Sequence, residues 1–315
     1  METLSILLFN EGFRVNKSSN KNNKIVRLFD MCLSVIKKRN KVDYILIDTF
    51  STSNFYYAFI VSQLARLFKV KYIPILHGGD LPKRIEKSKR MSNLIFNFSY
   101  KNIAPSNYLK SEFERKGYAT SFIPNVLELE KYDFKKRSSL SPKILWVRAF
   151  RHLYNPKLAI EVLVLLKKHY PKATLCMVGP VKDDSFKVVQ ELVIKHKLED
   201  SVEFTGVLSK EKWHSKSKDF DVFINTTNFD NTPVSVMEAM ALGLTIVSTN
   251  AGGLPYLIDD NIDGVLVEKN KPEQMANAIC KLIRENNLKL SQSAGKKVAS
   301  FDWEVVREKW FSILK

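Results

Sequence analysis

Two rhythms alternate along the 315 residues. Short apolar runs rich in β-branched and aromatic residues give way to stretches with apolar positions three and four apart. In the first half, Tyr44–Ile47, Tyr72–Leu76, Asn102–Ala104 and Ser121–Ile123 read as strands, with helical patterns at Phe55–Phe68 and Asn107–Lys116. In the second half, Ile144–Val147, Thr174–Val178, Val202–Phe204, Val222–Ile224, Thr245–Ser248 and Val265–Val267 read as strands. Helices are expected between them near Pro156–Lys168, Phe186–Lys195, Pro233–Leu242 and Pro272–Arg284. This alternation predicts an α/β chain with parallel, doubly wound sheets. The polar, basic stretch 128–142 reads as a linker between a domain over 1–127 and a second over 143–300. The tail 301–315, FDWEVVREKWFSILK, reads as a final aromatic helix.

One segment carries most of the chemistry. Residues 229–243 read FDNTPVSVMEAMALG, with Asp230 eight positions before Glu238. Thr232 is a suitable N-cap, and Pro233 suits a first helical position because its missing N–H is not needed there. Val236, Met237, Met240 and Ala241 form an apolar face, and Gly243 ends the helix. The open amides of such a start attract phosphate. A carboxylate at Glu238 can accept from a sugar diol beside bound phosphates. Arg148 follows the apolar run ILWV at the carboxyl edge of a parallel sheet, where doubly wound folds bind ligands. An arginine there can pair with phosphate oxygens. Gly179 and Gly206 close two further strands at that edge, where a side chain would crowd a ligand.

The 229–243 segment resembles the acidic–seven–acidic signature of the family 4 retaining glycosyltransferases. Glu238-Ala239-Met240-Ala241-Leu242-Gly243 matches its second half in full, and Asp230 stands where a glutamate is usual. The resemblance implies the GT-B fold, in which two Rossmann-like domains face across a cleft and the C-terminal helix crosses back to the first. It implies that Arg148, with Arg151 or Lys157 as second cation and Arg151 preferred, binds the donor diphosphate together with the amides near Val234 and Ser235. Glu238 would accept from the ribose hydroxyls. Asp230, with the amides of Asn231 and Thr232, would hold the sugar ring. Gly179 and Gly206, with Val207 and Leu208, would line the base pocket, and the 249–255 turn would shape the cleft. His77, in His77-Gly78-Gly79-Asp80 after the run YIPIL, would reach the donor sugar near its reacting carbon. The other histidines carry no assigned role.

Composition narrows the classes. Residues 1–140 hold 25 Lys and Arg against 12 Asp and Glu, while 141–315 hold 25 against 21, so most of the +17 charge lies in the first half. Such a surface suits anionic lipid or a phosphate-bearing acceptor. Nucleic acid is not expected as a partner, since no helix-turn-helix, RNP or zinc-finger pattern accompanies the charge. The longest apolar runs are too short to span a bilayer, and the N-terminus lacks a basic n-region, so a cytoplasmic chain is expected. Cys32, Cys176 and Cys280 read as reduced core thiols. Asp219-Phe220-Asp221 has metal-motif spacing but precedes a strand, and no metal or cofactor is expected.

The family's usual first strand and glycine-rich loop are not recognisable. ETLSILLFNEGF looks like the first helix and Phe13-Arg14-Val15 like the second strand. About 30 residues, the least a strand-loop-helix opening needs, would be missing. The expectation is a glycosyltransferase moving a sugar from a nucleotide-sugar to a lipid-linked or polysaccharide acceptor. The setting expected is bacterial surface polysaccharide, at the inner face of the plasma membrane. A catalytically weak nucleotide-sugar-binding protein and a sugar-nucleotide epimerase of the same fold are the alternatives.

Overall fold

The computed structural model describes residues 2–315, with Glu2 described by its backbone alone. The chain forms two units, the first reaching Val126 and including Trp303–Lys315, the second spanning Leu127–Asp302.

Unit 1 holds four parallel strands, β1 (Tyr44–Thr49), β2 (Lys71–Leu76), β3 (Asn102–Ala104) and β4 (Thr120–Phe122), side by side in that order. Strand alternation divides the side chains of β2. Tyr72 and Leu76 join Phe55, Ala58 and Phe113 in one core, while Ile73 and Ile75 join Leu7, Leu8, Trp303 and Trp310 in another. Helices therefore cover both faces, which explains why β2 is apolar at nearly every position. The second core contains the C-terminal helix, Trp303–Leu314, whose Trp303 indole donates to Glu11 at 2.9 Å.

Three features of unit 1 depart from the sequence expectation. Residues 13–15, expected as a strand, have no regular structure; Phe13 and Val15 lie half-buried against the second core. Among the described residues nothing pairs with the outer edge of β1, so this segment has no ladder to join. A helix at Lys24–Lys38 was not anticipated. Asn23 starts it by accepting from the amides of Ile25 and Val26 at 3.0 and 3.2 Å. Its Val35 is buried, while Ile25 and Phe29 point to solvent at 80% and 68% exposure. Two short helices, Leu81–Lys87 and Lys89–Phe96, also escaped the pattern.

Unit 2 holds six parallel strands: β5 (Lys143–Val147), β6 (Thr174–Val178), β7 (Val202–Gly206), β8 (Val222–Asn225), β9 (Thr245–Thr249) and β10 (Val265–Val267). They run in the order β10-β9-β8-β5-β6-β7. The order reverses between β5 and β8, creating the topological switch point where such sheets bind ligands. Ile144 and Trp146 face a core built with the Pro156–Lys167 and Pro272–Glu285 helices. Leu145 and Phe223 face the opposite core, which contains Val236, Met237 and Met240 of the Val234–Ala241 helix.

The stretch read as a linker is built into unit 2. Arg137 is buried and donates to the carbonyls of Ser217, Phe220, Leu242 and Gly243 and, at 3.1 Å, to Asp221. Asp221 also accepts from the Ser141 amide at 3.0 Å. The second aspartate of the Asp-x-Asp sequence is therefore a structural anchor.

Candidate functional site

The loop after β8 is fixed before it reaches its acidic residue. The Trp146 indole donates to Thr226 at 2.9 Å, and Thr226 donates to the Tyr154 carbonyl at 2.8 Å. Thr249, at the end of β9, donates to the Thr227 carbonyl at 2.6 Å. Gly253 then donates its amide to the Asp230 carbonyl at 2.8 Å. A side chain on Gly252 or Gly253 would run into the backbone of Asp230 and Asn231, and Gly252 has φ +60°. The glycine pair thus permits the 249–255 turn to press against the acidic loop.

At the neighbouring strand end, Arg148 leaves β5 with its amide donating to Val178 at 2.9 Å. Gly179 has φ +149°, and a side chain there would collide with the Arg148 carbonyl. The guanidinium lies over the Tyr154 ring, 4.4 Å from its centroid, and pairs with the Asp230 carboxylate. Its Nε is buried without a hydrogen-bond partner among the described residues. Burial raises the Asp230 carboxyl above its ordinary value, against the opposing pull of Arg148 and the Asn231 amide. That amide donates to Asp230 at 2.8 Å, so it is engaged inside the loop.

The Val234–Ala241 helix begins one residue later than expected. Pro233 occupies the N-cap position, with φ −69° and ψ 116°, and Thr232 lies before it. Proline favours this extended backbone, and no side chain caps the start. The amides of Val234 and Ser235 head an uncapped helix, an arrangement that attracts anions. One turn further on, Glu238 is 4% exposed. Its Oε1 accepts from the Tyr132 hydroxyl at 3.0 Å and pairs with the Lys210 ammonium at 2.8 Å. Burial, then the Glu238 charge, hold the Tyr132 phenol well above its ordinary range, so it stays a donor. Tyr132 also packs on His214, with ring centroids 4.7 Å apart.

Asp230, Asn231, Thr232, Val234, Ser235, Glu238, Arg148, Gly179 and Gly206 thus fall at the carboxyl edge of the six-stranded sheet or in the loop and helix that follow. Gly206, in the left-handed region at φ +67°, ends β7, and Val207 beyond it is exposed. The Arg151 side chain is exposed, and among the described residues it makes no hydrogen bond or ion pair that would aim it at this edge. Lys157, the other second cation considered, pairs with Glu161 at 3.1 Å along its own helix. Tyr132 and Lys210 were not anticipated. Tyr132 lies in the stretch read as linker, and a lone lysine at a helix start carries no pattern.

In unit 1, His77 follows β2 and pairs through Nε2 with Asp48 of β1 at 2.8 Å. The Phe50 ring stacks on it at 5.0 Å. Among the described residues one group has metal-compatible spacing, His152, Asp183 and Asp184. His152 and Asp184 are exposed, Asp183 is half-buried, and the group is internally satisfied: Asp183 accepts from the His152 amide at 2.9 Å, and Asp184 pairs with the His152 ring at 2.6 Å.

An edge built this way, with an arginine, an uncapped helix start and a buried glutamate at a switch point, suits a nucleoside diphosphate. Comparison with known proteins gives the class. The family model described as Glycosyl transferases group 1 matches residues 130–300, more than half of the chain, and the chain belongs to that family. It is 26% identical over 246 residues to the amylovoran biosynthesis glycosyltransferase AmsK of Erwinia amylovora, covering 73% of this chain and 60% of AmsK. It is 28% identical over 137 residues to the putative colanic acid biosynthesis glycosyltransferase WcaL of Salmonella typhimurium, covering 40% of this chain and 34% of WcaL. The chain thus spans under two thirds of the length of these curated relatives. The crystal structure of Anabaena HepE in complex with UDP superposes with a TM-score of 0.81 at 17% identity, covering 99% of this chain and 89% of that one. The fold is GT-B.

Proposed function

We propose that the chain transfers a sugar from a nucleotide-sugar to a lipid-linked or polysaccharide acceptor, with retention of anomeric configuration, in bacterial surface polysaccharide synthesis. The observation that carries this is the convergence of Arg148, the Val234–Ser235 amides and Glu238 on one sheet edge. In the reaction the bond from the anomeric carbon to the β-phosphate oxygen breaks. A bond to the acceptor oxygen forms, and the acceptor proton leaves with the diphosphate. Arg148 and the helix start meet the charge that grows on that diphosphate, so the reading requires no metal. Glu238 holds the ribose, Asp230 the donor sugar, and His77 remains the candidate catalytic group of unit 1. HepE has been crystallised with UDP-glucose, and the relatives include the amylovoran biosynthesis glycosyltransferase AmsK and the putative colanic acid biosynthesis glycosyltransferase WcaL, which supports the donor and setting proposed here.

The same reading places the chain peripherally on the inner face of the plasma membrane. Among the described residues no helix is long and apolar enough to cross a bilayer. The Lys24–Lys38 helix instead turns Ile25, Val26, Phe29, Leu33 and Ile36 outward, with Lys37, Lys38, Arg39 and Lys41 at its end. An outward apolar stripe with basic flanks suits an anionic bilayer surface. A second reading, a weakly catalytic binding protein, is favoured by the Arg148–Asp230 pair, which leaves the phosphate-binding cation already neutralised.

Thermal-shift screening against UDP-, GDP- and ADP-sugars, followed by transfer assays of the wild type and Glu238→Gln, tests the proposal. One sugar nucleotide should stabilise the wild type, and Glu238→Gln should cut kcat/KM at least tenfold. Stabilisation by none, or unchanged kcat/KM, would sink it.

A further inference from the structure

Glu238 is the most enclosed carboxylate of the site, yet both groups that reach it meet the same oxygen. Tyr132 donates to Oε1 at 3.0 Å and the Lys210 ammonium lies 2.8 Å from Oε1. No hydrogen bond to Oε2 is present among the described residues, and Oε2 is not among the buried polar atoms without a partner. The two partners come from distant parts of unit 2. Tyr132 belongs to the extended stretch before β5, wedged between Glu238 and the His214 ring. Lys210 is the first residue of the Lys210–Lys216 helix, whose start is set by Ser209 accepting from the Lys212 amide at 3.3 Å. That helix follows β7 directly, so the lysine stands between Gly206 at the base edge and Glu238.

We infer that Lys210 and Tyr132 are positioning residues that pin Oε1 so that Glu238 presents Oε2 to the vicinal hydroxyls of a bound ribose. The inference rests on the nucleotide-sugar reading of the site and adds what makes it selective for ribose. A carboxylate in a low-polarity pocket rotates about its last torsion unless something holds one oxygen. Two donors on Oε1, one of them charged, fix the plane of the group and leave one acceptor open. Lys210 contributes charge as well: its ammonium balances a carboxylate that burial would otherwise disfavour. Its stem is mostly exposed, 63%, so it is not held there as core packing. A hydroxyl pair at the open oxygen gains hydrogen bonds, whereas a 2′-deoxyribose leaves part of that acceptor capacity unused.

The test is discrimination between two probes, UDP and 2′-deoxy-UDP, by calorimetry on the full chain. If another base proves to be bound, the matching ribo and 2′-deoxy pair serves. The wild type should prefer the ribose form by about tenfold or more, the scale of one lost hydrogen bond to a charged group. Lys210→Met should bring the two affinities within about threefold by weakening the ribose form alone. Lys210→Arg should restore most of the preference, and Tyr132→Phe should fall between. An unchanged ratio in Lys210→Met, with or without a lower Tm, would mean the pair is structural and overturns the inference. Equal weakening of both probes would also overturn it, since it would place Lys210 on the phosphates or base. Failure of the wild type to bind any nucleoside diphosphate is a different outcome: it removes the proposed function itself, and this inference with it.

Discussion

Arg148 and Asp230 are ion-paired at the adjoining ends of β5 and β8. The resemblance assigned these two residues to different parts of the donor, the arginine to its phosphates and the aspartate to its sugar. In the structure each is the other's partner. On the proposed reading, donor binding would exchange one charge-assisted contact for others, and the gain on binding phosphate would be smaller than an unpaired arginine gives.

Asp230→Asn separates these roles. Removing the carboxylate charge frees the guanidinium, so UDP without a sugar should bind more tightly, by about 1 kcal/mol or roughly fivefold. Turnover of a sugar nucleotide should fall by at least tenfold, because the ring hydroxyls lose a charged acceptor and one of its two oxygens becomes a donor amide. Calorimetry and a transfer assay on the same preparation check both. Weaker UDP binding would show that Asp230 supports phosphate binding instead of competing with it.

Arg137 holds the stretch before β5 onto unit 2. Its guanidinium reaches the carbonyls of Lys135, Ser217, Phe220, Leu242 and Gly243, and Asp221, while almost wholly buried, and burial pulls its pKa down against the opposing effect of that aspartate. Arg137→Met should destabilise unit 2 by about 3 kcal/mol, since those acceptors stay buried without donors. Urea denaturation reads this as a lower midpoint. A change below about 0.5 kcal/mol would mean that water replaces the guanidinium.

The outward face of the Lys24–Lys38 helix predicts membrane binding with two components. Vesicles of phosphatidylglycerol and phosphatidylethanolamine should co-sediment the protein, and raising salt from 0.05 to 0.5 M should weaken this as charges are screened. Phe29→Ser should weaken it further at every salt concentration, by about tenfold, from the apolar area no longer inserted. Binding indifferent to both changes would remove the membrane assignment.

Burial pushes the His214 imidazole below its ordinary value of 6.5, and its Nε2 is enclosed without a partner among the described residues. A histidine held neutral in the fold stabilises it above its unfolded pKa and loses that contribution as pH falls below about 6.5. Stability measured from pH 7.5 to 5 should therefore decline less steeply in His214→Phe than in the wild type. Parallel profiles would show that His214 takes up its proton without cost.

The fold was largely legible because parallel strands buried on both faces write nearly continuous apolar runs. All six strands of unit 2 lie within two residues of the segments read from the sequence. The site was legible where one short segment contains its own geometry, as with Glu238 on a helix entered through Pro233. It was less legible in unit 1. Residues 13–15 look like a strand, yet strand structure needs a neighbour, and none pairs there among the described residues. The Lys24–Lys38 helix is strongly amphipathic, yet it turns Ile25, Phe29 and other apolar residues to solvent, an orientation its periodicity does not reveal.

By itself the sequence determined the α/β alternation, the acidic-to-acidic spacing, and the glycines that let backbones meet at Gly179 and Gly252. These are local properties, set by side-chain period, capping chemistry and backbone freedom. Only the tertiary structure decided that Arg148 faces Asp230, that Arg137 ties the supposed linker to β8, and that Tyr132 and Lys210 meet on one oxygen of Glu238. Those pairs join residues 28 to 106 positions apart. Such contacts depend on which strand ends the sheet brings side by side, and no periodicity in a single chain encodes that order.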